Sequence, residues 1–380
     1  MSSMRQAPPS PYPLPPRVGG EGVKGGHVRS DVPNARPVRV AAFTAGEHVP
    51  AARFRVRQYR TVLAGQGVEL REYWPRLGAY PPASRLLRPA WLVGTLAERI
   101  PHLIADIGSD VALVQREFVS TLPTIEGLTR RPRIVDIDDA IHLVRGGRAA
   151  RHLARLADLV IVGNRYLAEA WRHLTAAVVV MPTAVDTARY MPSPLPEKPV
   201  LGWIGTAGNL RYLHRIAPAL EAAVRRFPDT QIAVCSDAPP DLGRLPVRYV
   251  PWSEQVEASF LASISVGLMP LDDGEWERGK CSFKMLQYMA AGRPCIVSPV
   301  GMNRDILAEA EIGRAATSPA EWVEALCGLL ADRNEAERLG AAGRELAVSG
   351  YSVAAMAPRL AGLLRRAASG NIAAGSGGMR

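Results

Sequence analysis

The chain has 380 residues, 47% hydrophobic and 22% charged, with a formal net charge of +10. That length suffices for two ordinary domains with separate cores, and the composition is that of a soluble globular protein. Apolar runs such as "LVIV" and "AAVVVMP" fall far short of the roughly 20 residues a membrane helix needs, so no spanning segment is expected. Residues 1–36 hold five basic and two acidic side chains, and residues 365–380 contribute Arg365, Arg366 and Arg380. The high charge therefore sits largely at the ends, whereas a nucleic-acid protein more often carries a basic patch with interleaved aromatics; no nucleic-acid partner is expected. Attraction to anionic membrane surfaces or phosphorylated ligands stays open. Cys235, Cys281, Cys295 and Cys327 form no Cys-x-x-Cys pair, and the seven histidines show no ligand spacing. Reduced thiols in a cytoplasm and no metal site follow as expectations, as does the lack of a secretory signal in a polar, Pro-rich N-terminus.

In chain order, residues 1–36 read as a disordered Pro/Gly-rich tail. "VRVAAFT" (38–44) is an apolar strand, followed by "AGEHVP" and a basic helix from about Ala51 to Ala64. "VALVQ" (111–115), "RIVDID" (133–138), "DLVIVG" (158–163) and "AVVVMP" (177–182) read as buried strands. A second series runs from "PVLGWIG" (199–205) through a helix over 209–226, "QIAVCSD" (231–237), "VRYVPW" (247–252), a helix over 253–262 and "SVGLMP" (265–270). It continues with the helix "FKMLQYMAAG", "PCIVSP" (294–299), and helices over 319–331 and 333–348. Alternating strands and helices predict parallel sheets covered on both faces. Split by "MPSPLPEKP", they predict an α/β chain of two tandem Rossmann-like domains, with parallel sheets facing across a cleft. The expected layout is a first domain over 37–186, a linker over 187–198, a second domain over 199–350, a closing helix over 351–368 that returns to the first domain, and a disordered tail over 369–380.

Ligands in such sheets bind at the carboxyl ends of the strands. "GWIGTAGNL" brings Gly205 and Thr206 between a strand and a helix, where small residues let amides approach an anion. "LDDGEWERGKCS" (271–282), with Lys280 and Ser282, leads into the next helix. "PVGMN" brings Gly301, Met302 and Asn303. Glycine also ends strands for purely structural reasons. On the helix itself Met285, Leu286 and Met289 share one face, and Lys284, Gln287, Tyr288 and Ala291 the other. That second face is either solvated or turned to a ligand, with Lys284 on phosphate and Gln287 on ribose or sugar hydroxyls. In "RFRVRQYR", Arg53, Arg57 and Arg60 read as a solvated face. Arg55 falls at the edge of the apolar side and is expected to touch donor phosphate or an anionic acceptor. The preceding loop, with Gly46, borders the same cleft.

"RGKCSFKMLQYMAAGRPCIVSPVGMNRDIL" resembles the nucleotide-sugar-binding segment of retaining glycosyltransferases of family 4, which have the GT-B fold. "VVMPTAVDTARY", "GWIGTAGNLRYL", "AARFRVRQY", "RIVDIDDA" and "EWVEALCGLLADRNEAERLGAAGRELAVSGYS" resemble further segments of that family in order, so the likeness covers roughly residues 38–366. The resemblance implies transfer of a sugar from a UDP- or GDP-sugar to a glycan, lipid-linked or small-molecule acceptor, with retained configuration, no metal and no cofactor. It also implies a cytoplasmic enzyme, including a peripheral position at the inner membrane face. The family's Glu-x7-Glu pair falls on Gly279 and Gln287, a departure for which Glu275 or Glu277 could substitute. The family's first-domain histidine falls on Asp138, read either as a catalytic carboxylate or as a structural cap. Trp252 falls where the family's base lies, or is simply packing. Lys284, Gly205, Thr206 and Ser282 would stabilise the leaving diphosphate.

Three alternatives remain at this stage. One is a catalytically weak or inactive nucleotide-sugar binder, and another a metal-dependent enzyme using the Asp-x-Asp of "DIDD" (136–139). A nicotinamide dehydrogenase fits poorly, because neither "FTAGEHVP" nor "GWIGTAG" has the Gly-x-Gly-x-x-Gly spacing. The acceptor contacts are expected in the stretch 71–89, with Tyr73, Trp74, Tyr80, Arg76, Arg85 and Arg88.

Overall fold

A chain that alternates short apolar strands with helices must return over the sheet after each strand, so its strands pair in parallel. The computed structural model describes residues 36–372; the tails expected at 1–35 and 373–380 lie outside the described residues. Strands β1 (Val38–Phe43), β2 (Val68–Tyr73), β3 (Val111–Gln115), β4 (Arg133–Ile137), β5 (Leu159–Val162) and β6 (Val178–Val180) form one sheet. Strands β7 (Val200–Ile204), β8 (Gln231–Ser236), β9 (Val247–Pro251), β10 (Val266–Met269), β11 (Cys295–Val297) and β12 (Gly313–Ala315) form a second. Their orders are β2-β1-β3-β4-β5-β6 and β12-β11-β10-β7-β8-β9, and every pairing is parallel. Strand order therefore reverses between β1 and β3 in the first sheet and between β7 and β10 in the second. Crevices open at such reversals, outside the carboxyl ends of the strands.

The helix Val353–Ala368 belongs to the first sheet in space. Met356, Leu360 and Leu364 share a core with Val40, Ala42 and Leu63. Val185 and Val353 exchange backbone bonds with the returning chain: Val185 N–H donates to Tyr351 O, and Val353 N–H to Val185 O. Residues 369–372, read as part of a tail, instead finish this helix: Gly370 takes φ +78° and Asn371 N–H donates to Arg366 O. A further apolar cluster runs through both domains, from Phe43 and Val162 to Met285 and Val297.

Several expected elements change. The basic helix over 51–64 breaks at Val56 (φ −127°, ψ −65°) into Pro50–Arg55, a 3-10 turn and Arg60–Ala64. β2 and β12 carry little apolar signal: β2 is an edge strand with Val68 and Leu70 inward and Glu69 and Arg71 outward. The stretch 71–89 is not one loop. It ends β2, passes through a loop, and begins the helix Arg88–Asp106.

Arg55 corrects the expectation of a ligand contact. Its guanidinium is buried and fully used within the first domain. Nε and Nη2 donate to Asp136 Oδ2 and Oδ1 at 3.0 and 2.5 Å, and Nη1 donates to Met181 O at 2.8 Å. A cation at the edge of an apolar face was a sound signal of something unusual, but the partner is a carboxylate on β4. Breaking a buried pair leaves one charge uncompensated. Arg55→Ala is therefore expected to lower stability by about 3–5 kcal/mol, read by urea unfolding.

Candidate functional site

The two sheets meet carboxyl edge to carboxyl edge, and a cavity of about 610 Å³ lies between them. The first domain supplies Glu47, His48, Pro50, Arg53 and Phe54, all following β1. The second supplies Gly205, Thr206 and Asn209 after β7, Asp237 after β8, Trp252–Gln255 and Glu257 after β9, and Phe283, Lys284 and Gln287 from the helix Phe283–Ala290. The volume lies within the range of small-molecule sites.

The helix Phe283–Ala290 has no solvated face: Met285 through Ala290 are all buried. Tyr288 is core, with its ring packed on Gly267 and its hydroxyl donating to Leu268 O at 3.0 Å. Of this helix, only Lys284 brings a charge to the cavity. Its stem passes over Gly205, where an added Cβ would meet Lys284 Cε at 2.6 Å, and its ammonium lies 5.4 Å from the Trp203 ring centroid. Among the described residues it has no carboxylate partner. Burial, with the nearby Lys280 charge, brings its pKa down to about 7. The first bond at this helix's start runs from Leu286 N–H to Ser282 O, so the amides of Phe283, Lys284 and Met285 are left free by the helix. Ser282 begins the helix in a left-handed conformation (φ 51°) and its side chain caps no amide.

The amide supply at the β7 turn is smaller than expected. Gly205 N–H donates to Cys235 O at 3.0 Å and Ala207 N–H to the Asp237 carboxylate at 2.5 Å. The value of Gly205 is spatial: it makes room for Lys284. Thr206 stays exposed at the rim.

A polar chain that the sequence did not signal forms the opposite side. Glu257 is buried and accepts from Arg53 Nη2 at 2.8 Å, Tyr190 Oη at 2.9 Å and Trp252 Nε1 at 3.1 Å. Gln287 Nε2 donates to Tyr190 Oη at 3.1 Å. Arg53, read as solvated, thus crosses from the first domain to pair with the second. Arg57, also read as solvated, pairs with Glu72. Trp252 is about one-third exposed and lines the cavity.

The segment Arg278–Ser282 docks on the first sheet. Asn164 Nδ2 donates to Arg278 O and Lys280 O at 3.2 and 3.0 Å. Cys281 Sγ donates to Asp138 O at 3.1 Å, and a Cβ on Gly163 would lie 2.0 Å from that sulfur. A Cβ on Gly279 would lie 2.7 Å from Ala140 Cβ. Asp138 is half-buried beside this seam, accepts weakly from Gln115 Nε2 at 3.5 Å, and does not line the cavity. Burial and then Asp138 push Asp139 up to about 6, against Arg116 and Lys280. Asp136 of the Asp-x-Asp string is committed to Arg55 and is not presented with Asp138.

The third predicted loop is not at the cavity. Gly301 (φ +53°) packs on the Arg278 backbone, Met302 is buried, and Asn303 Nδ2 donates to Ser298 O. Gly301 thus packs against the docked segment, and none of the three lines the cavity. Lys280 lends its carbonyl to Asn164, and Gly46 sits one residue before the cavity wall. Neither candidate substitute for the missing Glu lines the cavity: Glu277 is buried against Tyr212 Oη and Arg211, and Glu275 is exposed.

Two Rossmann-like domains facing in this way make a GT-B architecture. Residues 198–332, most of the second domain, match the family described as glycosyl transferases group 1. Among solved structures, Anabaena Alr3699/HepE in complex with UDP and glucose is similar at 14% identity and TM-score 0.64, over 86% of this chain and 99% of that one. Sucrose-phosphate synthase (tll1590) from Thermosynechococcus elongatus is similar at 16% and 0.63, over 87% and 98%. WaaG, a glycosyltransferase involved in lipopolysaccharide biosynthesis, is similar at 14% and 0.62, over 86% and 99%. At these identities the likeness is one of fold. No curated protein matches the chain.

Two expectations follow. Free Lys284 loses its proton near pH 7, and a bound anion favours the charged form. Anion binding above pH 7 should therefore take up a proton, and affinity should fall as pH rises. Calorimetry at pH 8 in buffers of different ionisation enthalpy reads this uptake, and Lys284→Met should abolish it. Gly279→Glu, which would complete the Glu-x7-Glu spacing at its first position, should instead overpack the seam at Ala140 and cost about 1–3 kcal/mol in urea unfolding.

Proposed function

We propose that the protein is a glycosyltransferase that moves a sugar from a nucleoside diphosphate to an acceptor hydroxyl, with retained configuration and without a metal ion. The observation that carries this reading is the Lys284 ammonium. It is a half-buried cation without a carboxylate partner among the described residues, beside three free helix amides, at a cavity where two Rossmann edges face each other. A diphosphate supplies the missing counter-charge. The match over 198–332 supports the reaction class. Support for the donor comes from similar folds crystallised with UDP and glucose or with UDP-2-fluoro glucose.

In this reading Lys284 and the amides of Phe283 to Met285 hold the diphosphate. Trp252 takes the base, and Gln287 with Glu257 takes the ribose hydroxyls. The bond from the anomeric carbon to phosphate oxygen breaks, its electron pair leaves on the diphosphate, and the acceptor oxygen bonds to that carbon. The acceptor proton passes to the departing phosphate. Catalysis is then chiefly electrostatic: the site stabilises the charge that develops on the leaving group. The sugar is proposed to extend past the lined cavity toward the seam, where Asp138 stands.

Purified protein with a panel of UDP- and GDP-sugars, assayed for nucleotide diphosphate release, tests this directly. Lys284→Met should lower turnover by about 10²–10³, and unchanged turnover removes Lys284 from the site. Asp138→Ala should leave nucleotide affinity intact while reducing turnover; loss of neither removes Asp138.

A second reading, a nucleotide-sugar binder without transfer, is favoured by one observation. Gly279 is packed where the family's first Glu would stand, and neither Glu275 nor Glu277 lines the cavity. Tight nucleotide binding with no diphosphate release from any donor would establish it.

A further inference from the structure

The helix Arg88–Asp106 in the first domain is turned the wrong way for a surface in water. Of its charged residues Arg99 and Asp106 are buried and Glu98 is half-buried, while Arg88 is exposed at its start. Arg99 donates to Thr44 O and Tyr73 O at 2.7 and 3.1 Å, and Asp106 accepts from Ser109 Oγ and Arg130 N–H. Its outward face is apolar: Val93 is 69% exposed, Ile100 55%, Ile104 63%, and Ile107, just beyond the helix, 69%. Those spacings of 7, 4 and 3 residues keep one side of a helix. Leu86, 91% exposed, and Leu87 extend the stripe from the 3-10 turn that precedes the helix. A monomer in water seldom leaves a contiguous apolar stripe of this length uncovered.

Charge says what covers it. Arg76, Arg85, Arg88 and Arg130 are exposed beside the stripe, and among the described residues none pairs with a carboxylate. The nearby acids are engaged elsewhere. Glu98 accepts from Leu77 N–H, Asp106 is buried, and Asp110 pairs with Arg36 and Arg39. An apolar stripe edged by unpaired arginines is complementary to a bilayer carrying anionic headgroups, whereas a second copy of the same face would oppose like charges. Among the described residues no helix is long and apolar enough to cross a membrane, so the contact is with the surface.

We infer that this face, from Leu86 to Ile107, docks the protein onto an anionic lipid surface. The inference goes beyond the transfer reading and does not depend on it, because vesicle binding needs neither nucleotide nor turnover. The same helix fixes the ends of β1 and β2 through Arg99. Docking therefore holds the first domain's side of the cavity at a set orientation to the membrane.

Co-sedimentation of the full chain with phosphatidylcholine vesicles, with and without phosphatidylglycerol, tests this. The protein should pellet with the anionic vesicles only, and raised salt should release it. Arg85→Ala and Arg88→Ala should each weaken partitioning roughly fivefold. Leu86→Asp with Ile104→Asp should abolish it, while the melting temperature and nucleotide affinity stay unchanged. Three results overturn the inference: no pelleting with anionic vesicles, equal pelleting of the Asp variant, or a lipid-free dimer that the Asp variant dissociates.

Discussion

The cleft exists because the segment Arg278–Ser282 can lie flat on the edge of the first sheet. This is a steric constraint before it is an attraction. Gly163 and Gly279 both stand where a Cβ would collide, one with Cys281 and the other with Ala140. Asn164 then ties the seam by donating to two carbonyls of the segment while its Oδ1 caps the next helix through Leu167 N–H. The same closeness leaves no room at position 279 for the carboxylate that the resembling family carries. Loss of that side chain and tightness of the seam are one structural fact.

Within the cleft the charges divide into two kinds. Some are already paired across the domains: Arg53 of the first domain with Glu254 and Glu257 of the second. These pairs hold the two walls in register, reinforced by Phe54 against Phe283, whose ring centroids lie 3.7 Å apart. Lys284 is the other kind. It is desolvated by its neighbours and, among the described residues, left without an anion. A buried cation is costly unless something compensates it, so the site is poised to gain most from a ligand that brings negative charge. The acids that line the same cavity, Glu254, Glu257 and Asp237, are better matched to hydroxyl and amide groups than to an anion.

The first domain joins this cavity to its outer surface through one residue. Arg99 holds the carbonyls at the ends of β1 and β2, beneath the loop that bears Glu47 and His48, and stacks 4.4 Å from the Phe118 ring. Burial lowers its pKa to about 9, yet its donors are aimed at carbonyls and keep it seated. Placing the charge inward is what frees the outward face of the helix to be apolar.

The alternation of short apolar strands with helices was enough, by itself, to determine two parallel sheets, their carboxyl-edge loops and Lys284 as the cation at the start of a helix. Periodicity and strand polarity report burial and direction locally, so these features were legible. What residues touch was not. Arg55 read as a ligand contact because sequence shows a cation at an apolar edge but not the carboxylate of Asp136 waiting on another strand. Arg53 read as solvated because Glu257 lies more than two hundred residues away. Tyr288 read as a partner of Lys284 because helical spacing cannot tell a ligand-facing side from one packed on a sheet, here at Gly267. Gly301, Met302 and Asn303 read as a third binding loop because a strand-end position does not say whether the seam covers it. Pairing partners, and which edges close on one another, are decided by distances between segments far apart in the chain, and only the tertiary structure sets those.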